Sequence, residues 1–161
     1  MKLMITRTRV MQIVAGASIL KSLTGIKLAY AVSKNITALK REQDTIKDAI
    51  PKVKDIEKYN EEYGLLLDQE ARKDENGNFI PTGGGNVAIA NYTTYKEKLK
   101  TLEEKYSKQL EEQKKANEDF EKFLAEPFEF DFFQFEETYL PETITVEQID
   151  LLVEMIKETN E

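Results

Sequence analysis

This chain of 161 residues contains no cysteine, no histidine and no tryptophan. Without cysteine there can be no disulfide and no thiol nucleophile. With histidine also missing, Cys/His zinc sites and every histidine-dependent triad are excluded. A short chain so depleted in catalytic side chains reads as non-enzymatic, and the sequence assigns it no cofactor and no metal. A further absence concerns charge: residues 1–41 contain no aspartate or glutamate. A long hydrophobic run is missing too. Gln12 interrupts the apolar stretch Val10–Leu20, which is far short of the roughly 20 residues of a spanning helix.

Basic residues lie at one end and acidic ones at the other. Lys2, Arg7, Arg9, Lys21, Lys27, Lys34, Lys40 and Arg41 give the first 41 residues a charge of +8. Residues 118–161 carry 14 acids against Lys122 and Lys157, and the whole chain is at −7. The basic start has two readings. It can contact a partner, nucleic acid or anionic lipid, with Arg7, Arg9, Lys21, Lys27 and Lys34 as candidate contacts. Alternatively it pairs with the acidic end, and since an acidic protein repels phosphate at long range, this reading predicts weak or no nucleic-acid binding. Lys2, Arg7 and Arg9 before an apolar run, with Ala29-Tyr30-Ala31 beyond, imitate a secretory leader. Lys21 and Lys27 fall where such leaders are uncharged, so a cytoplasmic protein without a membrane span is expected.

The hydrophobic periodicity is helical. Val10, Ile13, Val14, Ala17 and Leu20 predict a helix over residues 7–23, capped by Thr6 or Thr8 and ended by Thr24-Gly25. Ala29, Val32, Ile36, Leu39, Gln43, Ile46, Ile50, Val53, Ile56, Asn60, Tyr63 and Leu67 then recur at threes and fours, a heptad seam. Pro51 falls inside it. Because the seam keeps phase across Pro51, a long helix over 26–72 with a kink there is expected. Asp74-Glu75-Asn76-Gly77-Asn78 is a turn. Phe79-Ile80-Pro81 and Val87-Ala88-Ile89 are short β-like runs around Gly83, Gly84 and Gly85. Residues 73–91 are therefore a glycine-rich tip, with Phe79 and the three glycines as candidate contacts and the glycines implying mobility or a close backbone approach. A second helix over 92–125 carries Tyr95, Leu99, Leu102, Tyr106, Leu110 and Phe120, with Thr93 or Thr94 as its cap. After Pro127, Phe128–Phe132 alternates as a strand with one aromatic face, and Thr143 or Thr145 caps a last helix bearing Val146, Ile149, Leu152, Val153 and Ile156. Together, 128–158 form an acidic strand-helix cap.

The predicted fold is thus mainly α and a single domain over 1–161. It is a long antiparallel helical hairpin, a coiled-coil stalk, with a β and glycine-rich tip and a small head made by the N-terminal helix and the C-terminal strand-helix. Polar seam residues Gln43, Asn60, Gln113 and Asn117 set register and partner choice, and an uncovered apolar stripe near 26–40 implies a homo-oligomer. Asp74, Asn76 and Asn78 imitate the opening of a calcium loop, but Phe79 and Gly85 stand where the pattern needs glycine and glutamate. The glycine run is no phosphate loop, since no Lys-Ser/Thr follows it. Spaced carboxylates in the phenylalanine-rich terminus can imitate a nucleic-acid backbone, or simply form the outer face of a cap.

The tip Lys73-Asp74-Glu75-Asn76-Gly77-Asn78, the glycine run, the Tyr/Lys/Glu helix, the alternating Phe128–Phe132 segment and the closing Leu140-Pro141, Leu151-Leu152 and Met155-Ile156 resemble, over residues 60–158, small helical-hairpin proteins of Gram-positive bacteriophages and prophages. The resemblance implies a phage-encoded protein of the bacterial cytoplasm or the virion, and brings no activity with it. The resulting expectation is a protein-binding module, acting in phage assembly or inhibiting a host defence protein. Its partners would be itself, a host protein or a virion protein. The alternative is a nucleic-acid-binding protein using the basic N-terminal helix.

Overall fold

The computed structural model describes residues 1–157; the last residue of the predicted 128–158 cap lies outside them. The chain is mainly helical. Strand β1 (Lys2–Thr6) leads into α1 (Arg7–Gly16), then α2 (Ile26–Asp48) and α3 (Ile56–Glu70). Strands β2 (Pro81–Gly83) and β3 (Asn86–Val87) precede α4 (Tyr92–Lys105) and α5 (Ser107–Ala125). Strands β4 (Pro127–Asp131) and β5 (Phe135–Glu136), helix α6 (Val146–Leu152) and strand β6 (Ile156–Lys157) complete the order. The chain divides into two compact units, residues 1–50 with 119 onward, and residues 51–118.

In the first unit the two chain ends are paired. β1 runs antiparallel to β4, with Leu3 opposite Phe130 and Met4 opposite Glu129, and β5 lies parallel to β6. The alternation of Phe128–Phe132 marked β4 in the sequence. β1 carried no such alternation, because Leu3, Met4 and Ile5 are consecutive apolar residues. The Thr6 hydroxyl accepts from the Arg9 N–H at 3.2 Å and starts α1. That helix is shorter than the predicted 7–23: it stops at Gly16, and a 3-10 turn, Ile19–Ser22, follows. Gly16 sits against Leu151, whose side chain would lie 2.6 Å from an added Cβ and would have to shift to admit one. Val10, Ile13, Leu39, Leu152, Met155 and Phe132 are fully enclosed between these elements. Each such side chain contributes about 1.5–3 kcal/mol by leaving water.

α2 departs from its predicted seam. Its buried face is Leu28, Ala31, Val32, Asn35, Leu39 and Ile46, rotated from the predicted row, so that Ala29 is exposed and Ile36 only half-buried. The last helix is rotated as well. Thr145 caps it in a reciprocal box with Gln148, but Gln148, Leu151, Leu152 and Met155 are buried, whereas Val146, Ile149 and Val153 face outward.

The predicted helix over 26–72 is two helices. α2 ends at Asp48, and residues 49–55 are not α-helical before α3 begins at Ile56. Pro51 has no N–H to donate and clashes with the preceding turn, and Asp55 takes a left-handed φ of 65° just ahead of α3. The second unit packs Tyr59, Tyr63 and Leu66 against Tyr95, Leu99, Leu102, Tyr106 and Leu110, while Asn60 of the predicted seam is exposed. Glu70–Lys98 and Glu62–Lys105 ion pairs confirm that α3 and α4 run antiparallel. The hairpin observed in this unit is this short pair, and the unbroken first helix on which the predicted long stalk rests is two helices.

Residues 92–125 are likewise two helices, α4 and α5. Tyr106 leaves helical geometry at φ −110° and ψ 19°, although the hydrogen-bond ladder continues through it from Leu102 to Leu110. The cap of α4 is Asn91, whose side chain accepts from the Thr94 N–H at 3.1 Å, and not Thr93 or Thr94. Gln113 donates to Asn117 at 2.7 Å one turn along α5, so these polar seam residues satisfy each other.

Candidate interaction surfaces

The five basic residues expected to reach a partner are not equivalent. Arg7 lies inside the first unit with its side chain 17% exposed. Its guanidinium stacks 3.9 Å from the Phe123 ring centre and 4.9 Å from that of Phe128, and Nη1 donates to the Phe123 carbonyl at 3.1 Å. Arg9 forks onto Glu154, donating from Nε at 2.6 Å and Nη2 at 3.1 Å. Nη1 reaches Asp150 at 3.2 Å, and Nη2 also meets the Asp150 carbonyl. The Glu154 hydrogen bond raises the Arg9 pKa above its ordinary value, ahead of the opposing effect of burial. Both arginines thus serve the junction between the basic start and the acidic finish, and Lys2 adds an exposed pair to Glu129 at 2.9 Å.

Three lysines remain outside. Lys27 donates to the Tyr139 hydroxyl at 3.1 Å, and Lys34 stands 4.3 Å over the Phe133 ring. Lys21 is exposed and makes no ion pair among the described residues. It stands on the rim of an open groove of about 400 Å³. One wall comes from the end of α1 and the 3-10 turn, with Val14, Leu20 and Leu23; the other is α2, with Ala29, Val32, Ser33, Ile36 and Lys40. The α2 positions recur at threes and fours and form one helical face. Val32 among them belongs to the core and Ile36 is half-buried, whereas Ala29, Ser33 and Lys40 are exposed.

In the second unit the three candidate glycines have one physical reason. Gly83, Gly84 and Gly85 all take positive φ, at 97°, 59° and 80°. A Cβ at Gly83 or Gly85 would meet nothing within 4 Å, so backbone conformation and not close approach demands glycine there. Phe79 is 42% exposed, with Lys73 5.5 Å over its ring. The neighbouring turn follows the reading of Asp74: its carboxylate accepts from the Asn76 and Asn78 N–H groups, each at 2.9 Å. Tyr63, Tyr92 and Tyr95 line a second concavity with Gly85, Asn86 and Ile89. The Tyr63 and Tyr95 hydroxyls are 3.3 Å apart. Burial first, then that contact, pushes the Tyr95 phenol well above its ordinary pKa.

Two functional-looking residues escaped the sequence reading. Asn35 is fully buried; its amide donates to the Phe133 carbonyl and its oxygen accepts from the Phe133 N–H, both at 2.8 Å. Gln148 is buried and donates to the Ile19 carbonyl at 3.1 Å and the Ser22 hydroxyl at 2.9 Å. The Thr145-x-x-Gln148 spacing was a visible capping-box signal; nothing local distinguished Asn35. No helix among the described residues is long and apolar enough to cross a membrane. Comparison of the chain with known families, curated proteins and solved structures finds no match.

Proposed function

We propose that this protein is a non-enzymatic protein-binding module, phage-encoded, acting in the bacterial cytoplasm or virion in phage assembly or in inhibition of a host defence protein. The observation that carries the protein-binding reading is the groove of the first unit. On α2 it is a heptad-spaced row in which Ala29 and Ser33 are exposed and Ile36 is half-buried, on a helix that also exposes the apolar side chains of Ile26 and Tyr30. The engagement of Arg7 and Arg9 by Phe123, Glu154 and Asp150 favours this reading over nucleic-acid binding through α1, since those guanidiniums are already partnered. The phage origin rests on the resemblance of residues 60–158 alone.

The test is affinity purification from bacteria expressing the tagged chain, set beside a variant carrying Ala29→Glu in the groove. The reading expects a protein retained by the parent and lost by the variant. Tight, salt-sensitive retention of the intact protein on heparin and DNA, with no such protein, would move the function to nucleic acid.

A further inference from the structure

The groove of the first unit has a length, a pattern and a charge, and together they specify an occupant. On the α2 side it runs from Ala29 to Lys40, about 16 Å along the helix axis or three turns. Its residues continue a heptad row, the spacing that another helix meets with its own knobs. Ala29 and Ser33 are small and exposed, which lets a second backbone approach, while Val32 and Ile36 supply apolar floor. The rim is positive. Lys21 from the 3-10 turn and Lys40 from α2 both line the groove, and no acidic residue occurs anywhere in residues 1–41. Carboxylates from the C-terminal segment reach Arg9 and Lys2, and no ion pair of Lys21 or Lys40 is present among the described residues.

Resting on the protein-binding reading, we propose that this groove takes an acidic amphipathic helix of about three turns from a partner protein. Apolar residues at heptad spacing would lie on Val32 and Ile36, and flanking carboxylates would meet Lys21 and Lys40. A helix in a groove reads its target through such anchors, and opposite charge on the rim selects the partner and speeds encounter. A free fatty acid would satisfy the apolar wall, but its single carboxylate does not match two separate lysines.

The full chain can be titrated with fluorescein-labelled 14-residue peptides, read by anisotropy. One carries leucine at heptad spacing flanked by glutamate; the other has the same leucines flanked by lysine. The acidic peptide should bind about tenfold tighter at low salt, since only two exposed ion pairs are gained, and the preference should shrink as salt rises. Lys21→Glu with Lys40→Glu, both at exposed positions that leave the fold intact, should invert the preference. Ala29→Glu should abolish binding of both peptides, with far-UV circular dichroism unchanged. Equal binding of the two peptides, or a preference that survives the lysine reversals, overturns the acidic assignment while leaving a helix-binding groove. No binding of the acidic peptide at all overturns the proposal outright, as does a dimer of this chain that Ala29→Glu dissociates. If the peptide results stand while the protein retained from cells is unaffected by Ala29→Glu, the groove binds helices but the functional reading built on it fails.

Discussion

Replacing Asn35 by alanine tests the tertiary logic of the first unit at one point. The Asn35 amide bonds both backbone groups of Phe133 at 2.8 Å, completing for that residue the pairing a neighbouring strand would otherwise provide. Alanine removes both hydrogen bonds and leaves a carbonyl and an N–H beside the buried face of α2. A hydrogen bond contributes about 0.5–1.5 kcal/mol net, and each polar group stranded without a partner loses about 1–3 kcal/mol. Phe133 itself is partly exposed, so water can recover some of this, and the expected loss is about 2–4 kcal/mol. With an m value near 2 kcal/mol/M, the urea midpoint should fall by about 1–2 M. Far-UV circular dichroism against urea reads this, and hydrogen exchange of the peptide spanning residues 128–136 should accelerate in parallel. Asn35→Leu, which fills the volume without the hydrogen bonds, should recover little. A midpoint shift below about 0.3 M for Asn35→Ala would refute the reasoning, and full recovery by leucine would show that packing and not polar pairing holds Phe133.

Four other outcomes are expected. Leu102→Ala removes a buried side chain from the α3–α4 cluster and should destabilise the second unit by about 2–5 kcal/mol in urea titrations, whereas Ile56→Ala, only half-buried, should have a smaller effect. Arg9→Gln should destabilise the first unit by about 1–3 kcal/mol by thermal or urea unfolding, because Glu154, 17% exposed, loses its fork. Its heparin retention should match that of the parent. Gly16→Val should be more destabilising than Gly16→Ala, since the added atoms collide with Leu151; equal midpoints would contradict the close packing of α1 on α6. The Asn78 N–H, then Asn76, holds the Asp74 carboxyl below the ordinary aspartate range. Its contribution to stability is therefore present above that range and is lost as the pH falls through the lowered value. Carboxyl NMR titration should find Asp74 below the ordinary aspartate pKa, and Asp74→Asn should remove that part of the acid dependence.

The sequence by itself determined what depends on neighbours along the chain. Helical character, the alternating strand at Phe128–Phe132 and the turn at Asp74–Asn78 with its positive-φ Gly77 follow from side-chain period and local backbone sterics. The meeting of a basic start with an acidic finish was also legible, because charge composition shows in any linear reading. Tertiary structure decided the rest. Pro51 and Asp55 interrupt the heptad row, so one continuous helix does not form. Which face of α2 is core depends on α1 and, from the far end of the chain, β5 and the 3-10 turn Val153–Met155, and they choose Leu28, Ala31 and Asn35 over part of the predicted row. The same choice leaves Ala29, Ser33 and Ile36 to line a groove. A period of three and four says that a helix has an apolar side; only the elements packed on it determine how much of that side is covered.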